Sequence, residues 1–287
     1  MLFGRNQFQQ KYCKPSFMQS LASILIVVPT LNSYHLLGRL VKSLQIQSYQ
    51  NWRLVFVDGH SCLEHRNWLD CLCYSESRCS WVFQDPRQNG IFGAMNQGFA
   101  IAKPDDWLLF WGSDDWAASP TVIGEAMAAL NVCSLHQSDL LICNGRYVNS
   151  TTGELGRCTS FNLSLTTKST FCCRDYRRAM MLGFTPPHQT TLIGPGARAR
   201  LARYADGFRL SADLDYFLQL SRFDDLRLKA LDLELVHISS GGISGQQTQR
   251  RLQEVRRAYQ RAFGRLWWLP FIARYVRRIF SLLVANR

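Results

Sequence analysis

Residues 107–116 read Trp-Leu-Leu-Phe-Trp-Gly-Ser-Asp-Asp-Trp, an apolar run that stops at two adjacent carboxylates. Neighbouring acids repel each other and are commonly reconciled by a cation. Oxygen ligands suit Mg²⁺ or Mn²⁺, and these ions usually share their coordination with phosphate oxygens. Asp114 and Asp115 are therefore the leading metal ligands, although a polar turn that caps the next helix would look the same in isolation. Asp58 ends another apolar run, just before Gly59. Asp213 and Asp215 stand near the start of a helical segment, where the macrodipole favours acids in any protein. His188 follows Pro186 and Pro187, whose rings stiffen the backbone. A stiff turn with a polar tip suits contact with an acceptor or a diphosphate; an ordinary core histidine is an equal alternative.

These residues need elements to position them. Residues 23–29, 52–57, 81–84 and 107–111 read as short buried strands, and 34–46, 65–73 and 91–102 as intervening helices. Alternation of this kind implies α/β architecture, a doubly wound and mostly parallel sheet with right-handed crossovers. Ligands then bind at the carboxyl ends of the strands, which gathers Pro29-Thr30, Asp58-Gly59 and Asp114-Asp115 along one edge. Further on, strands are expected at 140–143, 190–193 and 231–238, a helix at 211–220, and a Thr/Ser-rich loop within 149–180. A flexible Gly-rich loop should follow at 239–245. No Gly-x-Gly-x-x-Gly follows the first strand and no Walker A sequence occurs, which disfavours dinucleotide and P-loop sites.

Composition narrows the class. With 287 residues and a hydrophobic fraction of 47%, the chain can bury a sizeable core. Its ten cysteines include the close pairs Cys71/Cys73 and Cys172/Cys173 and no C-x-x-C, so neither a disulfide framework nor a zinc site is indicated. The first twenty residues lack an apolar signal core, and a reducing, cytoplasmic compartment is expected. The net charge is +12, yet ten arginines against one acid, Glu254, lie in residues 246–287, leaving the body only mildly basic. No basic, aromatic-lined groove is legible in the body, and no nucleic-acid partner is expected. The tail reads as two helices divided at Pro270. Ile272, Tyr275, Val276, Ile279 and Leu283 share one face, opposite Arg274, Arg277, Arg278 and Ser281. With Trp267 and Trp268 nearby, this is an interfacial pattern for an anionic membrane surface. Packing on the domain or against a second copy is the alternative.

Six segments in order resemble family 2 glycosyltransferases of the bacterial surface-polysaccharide type, which have a GT-A fold. They are Val28-Pro29-Thr30-Leu31-Asn32, Val57-Asp58-Gly59-His60-Ser61, the stretch from Asn89 to Gly98, Gly112-Ser113-Asp114-Asp115, Ser211-Ala212-Asp213-Leu214-Asp215 and Gly241-Gly242-Ile243-Ser244. The resemblance implies that Pro29, Thr30, Asn32, Asp58, Asn96 and Asp114 bind the nucleotide, with Asp58 accepting from a uracil imide. It implies Asp115 and Asp114 at the metal, and Asp213 as catalytic base, with Asp215 structural. Ser113 replaces the first acid of the D-x-D motif. Leu63 and Gly93 also stand where the family often has Asp, which weakens the case for base recognition.

The expected activity is inverting transfer of a sugar from a nucleotide sugar, UDP-linked, to a lipid-linked saccharide in surface polysaccharide assembly. The expected place is the cytoplasmic face of the inner membrane. Two alternatives stay open: a polyprenyl phosphate acceptor, and a non-catalytic nucleotide-sugar binding protein docked on the membrane. The expected organisation is a polar extension (1–22), a GT-A domain (23–245, with a nucleotide half 23–115 and an acceptor half 116–245) and a basic helical tail (246–287).

Overall fold

The computed structural model describes residues 22–131, 138–161, 170–240 and 248–285. The expected extension up to residue 21 and the Gly241-Gly242-Ile243-Ser244 loop lie outside the described residues, as does the side chain of Leu283.

The first half alternates strand and helix: β1 (Ile24–Thr30), α1 (Tyr34–Gln45), β2 (Trp52–Asp58), α2 (Leu63–Ser75), β3 (Cys79–Phe83), α3 (Ile91–Ile101) and β4 (Trp107–Phe110). β3, β2, β1 and β4 lie side by side and all pair in parallel. Strand residues alternate between two cores. Leu25, Val27, Val55, Val57, Leu108 and Phe110 enter one, while Ile24, Ile26, Val28, Leu54, Phe56 and Leu109 enter the other. Burial on both faces is why these strands read as unbroken apolar runs. α3 covers the first face, and α1 and α2 cover the second.

The second half contains β5 (Trp116–Ala117), α4 (Val122–Asn131), β6 (Leu140–Val148), β7 (Leu155–Thr159), β8 (Thr170–Phe171), α5 (Cys173–Met181), β9 (Thr191–Ile193), α6 (Pro195–Arg200), α7 (Ala212–Leu220) and β10 (Leu228–Ser239). Antiparallel β9 joins β4 to β6, and β6 and β10 then pair in parallel. The stretch 149–180, expected to contain a Thr/Ser-rich loop, also holds β7 and α5. Tyr176, Ala179 and Met180 sink one face of α5 into the core, at a helical spacing that the surrounding arginines obscured.

The tail forms α8 (Thr248–Phe263) and α9 (Trp268–Ala285). They divide at a short turn, Gly264–Leu266, where Gly264 takes φ 55°. Pro270 does not divide them; it sits in the first turn of α9, where a missing N–H costs no hydrogen bond. α8 is no loose appendage, because Val255, Ala258, Tyr259 and Ala262 are buried in the same core as α7.

Candidate active site

The carboxyl ends of β1, β2 and β4 are stitched together by short polar side chains. Ser33 donates to Ser113 at 2.8 Å, and Ser113 donates to the Pro29 carbonyl at 3.2 Å. The Asn32 N–H donates to Ser61 Oγ at 2.8 Å, while Asn32 Oδ1 accepts from the Cys62 N–H at 2.7 Å. Asn32 and His60 both hold positive φ, 51° and 64°. Left-handed backbone at two non-glycine residues on one edge is strain of the kind found around ligand sites. Thr30 is buried and donates to Asp58 at 3.2 Å rather than capping α1.

Asp58 is fully buried. Its oxygens accept from the Ser61 N–H at 2.9 Å, from Ser61 Oγ and from Thr30, and His65 Nε2 lies 3.4 Å away. Burial pulls the His65 imidazole below its usual pKa, partly offset by Asp58. Asp58 is thus engaged as a brace that holds the loop after β2.

The acids after β4 divide their work. Asp115 is 2% exposed and accepts from the Gly112 N–H at 2.6 Å and from the Ser239 backbone. Burial pushes its carboxyl up to about 7, with the charge of Asp114 adding to the rise. Asp114 stays half-exposed. Asp114 is the less buried of the two; the expectation leaned on Asp115, with Asp114 beside it.

No group of three or more metal-ligating side chains occurs among the described residues. One half-buried carboxylate, with Ser113 before it in sequence, does not make an all-protein cage. It does fit the shared mode of Mg²⁺ or Mn²⁺, in which phosphate oxygens and waters complete the shell.

A second cluster forms where α7 begins. Asp213 lies in the first turn of α7, half-buried, and no hydrogen-bond donor reaches its carboxylate among the described residues. Its charge acts on both His188 and Tyr204. His188 Nε2 meets Tyr204 Oη at 2.7 Å, and the imidazole stacks on Phe110 with centroids 5.5 Å apart. Burial holds His188 below its usual pKa, opposed by Asp213. Trp111 Nε1 donates to the Gln189 carbonyl at 3.0 Å, pinning the Pro-Pro-His turn to the end of β4. Asn96, 9% exposed, binds the Tyr204 backbone twice, donating at 3.1 Å and accepting at 2.8 Å. Asn96 therefore acts through Tyr204, and its amide is spent inside the protein.

Two contributors had no signal in the sequence. Tyr204 sits in an irregular segment, and only its packing reveals that it joins α3 to His188. Glu254 read merely as the one acid of a basic tail, yet it accepts from the N–H groups of Arg209, Leu210 and Ser211 at 3.0, 2.7 and 3.0 Å. It thus satisfies backbone donors on the segment that leads into α7, whose N-cap residue Ser211 makes no side-chain cap bond. Asp215 points elsewhere: it is 1% exposed and pairs with Arg261 at 2.7 Å. Burial outweighs that arginine and raises Asp215 to about 6.

Comparison with known proteins agrees with this layout. Residues 25–181 match the family model described as Glycosyl transferase family 2. A stretch of 90 residues is 33% identical to the PGL/p-HBAD biosynthesis glycosyltransferases of Mycobacterium bovis and Mycobacterium tuberculosis, covering 31% of this chain and 34% of theirs. The match therefore spans about a third of those relatives' length. Among solved structures, S. aureus TarS superposes with a TM-score of 0.64 at 17% identity, over 90% of this chain and 72% of that one. Mannosyltransferase PcManGT from Pyrobaculum calidifontis, in complex with GDP-Man and Mn²⁺, gives 0.59 at 13% identity, over 87% and 69%. At such identities the likeness speaks for the fold. With over half of its length under the family model, and with this sheet topology, the chain belongs to glycosyl transferase family 2 and has a GT-A type fold.

Proposed function

We propose that this protein is an inverting, metal-dependent glycosyltransferase that moves a sugar from a UDP-sugar to a lipid-linked saccharide at an anionic membrane surface, on the cytoplasmic face. The observation that carries the reading is the pairing of two available carboxylates with two braced ones: Asp114 is half-buried beside buried Asp115, and Asp213 is unbonded among the described residues beside buried Asp215. Structures of TarS with UDP and with UDP-GlcNAc support a uridine donor, and PcManGT with GDP-Man and Mn²⁺ supports a divalent cation. Residues 23–245 would form the catalytic domain, with the helical tail built onto it.

The chemistry is one displacement. The acceptor oxygen forms a bond to the anomeric carbon as the bond from that carbon to the diphosphate oxygen breaks, and the acceptor proton passes to an Asp213 oxygen. Asp114 would hold the cation, which when bound offsets charge on the departing diphosphate. His188, kept neutral by burial and fixed by Tyr204, would orient the acceptor or the diphosphate.

The membrane part of the reading rests on α9. Phe271 and Tyr275 pack on the core, Arg274 donates to Thr185 at 2.9 Å, and Arg277 lies 3.3 Å from the Phe184 ring centre. A Cβ on Gly183 would come within 2.4 Å of the Arg274 backbone, so the contact is close. The opposite face is apolar: Trp268, Leu269, Ile272, Val276 and Ile279 are 48, 40, 51, 43 and 58% exposed. The expected single apolar face is therefore split, with Tyr275 turned inward. A second copy would bring arginine-rich tails together, whereas anionic lipid complements them. α9 also grips residues 183–185, just ahead of the His188 turn, which would put a lipid-borne acceptor beside Asp213. No described helix is long and apolar enough to cross a membrane.

Calorimetric titration of UDP and GDP, with and without Mn²⁺, tests the donor; metal-dependent UDP binding is expected, and no binding of either removes the reading. Flotation with phosphatidylglycerol vesicles tests α9. Ile272→Asp with Ile279→Asp should abolish binding, and unchanged flotation would detach α9 from the membrane.

A further inference from the structure

Arg53, Arg146, Arg200 and Arg261 each meet an acid at 2.5–2.7 Å. Two arginines of α9 do not. Arg274 is half-buried and donates to Thr185 Oγ1 at 2.9 Å, while exposed Arg277 lies 3.3 Å from the Phe184 ring centre. Neither pairs with a carboxylate among the described residues. The two are close enough for their charges to act on each other. Burial and the charge of Arg274 together hold the Arg277 guanidinium below its usual pKa. Neighbouring like charges disfavour each other until an opposite charge joins them. A guanidinium also carries five donors, and one hydrogen bond to Thr185 leaves most of these ten unused by the protein.

α8 brings a third unmet group to the same place. Tyr259 is fully buried, and its hydroxyl has no hydrogen-bond partner among the described residues. Arg274, Arg277 and Tyr275 are the ionisable groups that act on it, so the hydroxyl lies beside the two arginines although no N–H reaches it in hydrogen-bond geometry. Burial raises Tyr259 above the usual phenol range, and the group keeps its proton. A buried hydroxyl without an acceptor is costly, and so are paired cations without an anion. One oxyanion would answer both needs. Gly183, at φ 76°, lets the α9 backbone come down onto residues 183–185, which holds the arginines over this spot.

We propose that Arg274, Arg277 and the Tyr259 hydroxyl form a binding site for a phosphate group, carried by the headgroup of an anionic lipid. Guanidinium forks match phosphate oxygens two at a time, and the phenol adds a donor from a different direction. Exposed Arg277 is the member that can swing aside to admit the group. The lipid source rests on the membrane reading of α9 above, whose Ile272, Val276 and Ile279 stand 51, 43 and 58% exposed on the same helix. The site itself does not rest on it, since a soluble phosphate ester offers the same oxygens. An occupied site would hold a lipid headgroup against Thr185, three residues ahead of His188.

The test uses the full chain and glycerol 3-phosphate, a soluble form of the headgroup, with chloride of equal ionic strength as reference. Glycerol 3-phosphate should raise the melting temperature of the wild type, and the rise should vanish in Arg274→Gln with Arg277→Gln. Tyr259→Phe removes one hydroxyl from the core. Without ligand it should melt at or above the wild type, and its affinity for glycerol 3-phosphate should fall about tenfold. An equal rise in all three proteins, or none in the wild type, overturns the site; so does a Tyr259→Phe protein that melts lower without ligand, because its hydroxyl was then already satisfied. Flotation separates the sources, with phosphatidylglycerol or oleate supplying the same surface charge in phosphatidylcholine vesicles. The wild type should prefer phosphatidylglycerol about fivefold, and the arginine variant should bind both alike. No preference, with the response to glycerol 3-phosphate intact, overturns the lipid source and assigns the site to a soluble phosphate ester. Flotation without any response to glycerol 3-phosphate overturns the site and leaves the membrane reading standing.

Discussion

The end of β4 and the start of α7 each carry a pair of acids, and each pair divides the same way. Asp115 and Asp215 are buried and raised, to about 7 and about 6, by loss of solvent. Asp114 and Asp213 remain half-exposed. The difference within each pair lies in what holds the brace. Asp115 is fixed by backbone N–H groups at 2.6 Å and beyond, within its own turn and from β10. Asp215 is fixed by Arg261 from α8. The pair after β4 is held largely by nearby backbone, whereas the pair in α7 depends on a helix far along the chain. A motif rich in acids therefore describes an available group and its support together, and only burial separates the two.

The sharpest way to break this comparison is at the base. Asp213→Asn should lower turnover about 10³-fold while donor affinity changes less than about threefold, since general bases contribute on the order of 10²–10⁴. Near-normal turnover would end its role. Next, Asp114→Asn should weaken Mn²⁺-dependent UDP binding about 100-fold, while Asp115→Asn lowers the melting temperature with a smaller effect on binding. The reverse ranking would restore Asp115 as the principal ligand. Glu254→Gln leaves one oxygen for three N–H groups, and should cost about tenfold in kcat with KM for the donor unchanged. A change in KM alone would mean that the cap does not position Asp213.

The smallest effect concerns Asp215. Its carboxyl is raised to about 6 from 3.8, so the folded protein binds a proton that the unfolded chain has released. Stability from this group is full below pH 3.8 and is lost as pH rises through about 6, with a slope of at most about 1.4 kcal/mol per pH unit. Asp215→Asn should flatten that part of a melting-temperature profile and leave turnover within about threefold. An unchanged profile would place the proton elsewhere.

Much of the first half was legible because its signals are local. Apolar runs ending in turn residues located β1, β2 and β4 and put Thr30, Asp58 and Asp114 on one edge. What could not be read was the direction each side chain takes there. Asp58, Asp114 and Asp115 look alike in sequence, and only the structure shows that Asp58 accepts from the Ser61 N–H and Asp115 from the Gly112 N–H. The second half hides more, since its contacts are distant: Asn96 meets Tyr204 across 108 residues, and Arg261 meets Asp215 across 46. Such pairings leave no periodicity. Pro270 misplaced the division of the tail because proline breaks a helix interior but suits a first turn, and Gly264 made the break instead.

Glu254 also sets an order of events. It reaches back 43 to 45 residues to the three N–H groups ahead of α7. During synthesis the parallel half can pair its strands and close its loops while the rest is still being made, because domains generally form as their residues emerge. The helix that bears Asp213 must wait until α8 has left the ribosome. The parallel half is therefore assembled early and the entry to α7 late, so on the proposed reading a chain stopped short of α8 would hold a nucleotide sugar without being able to use it.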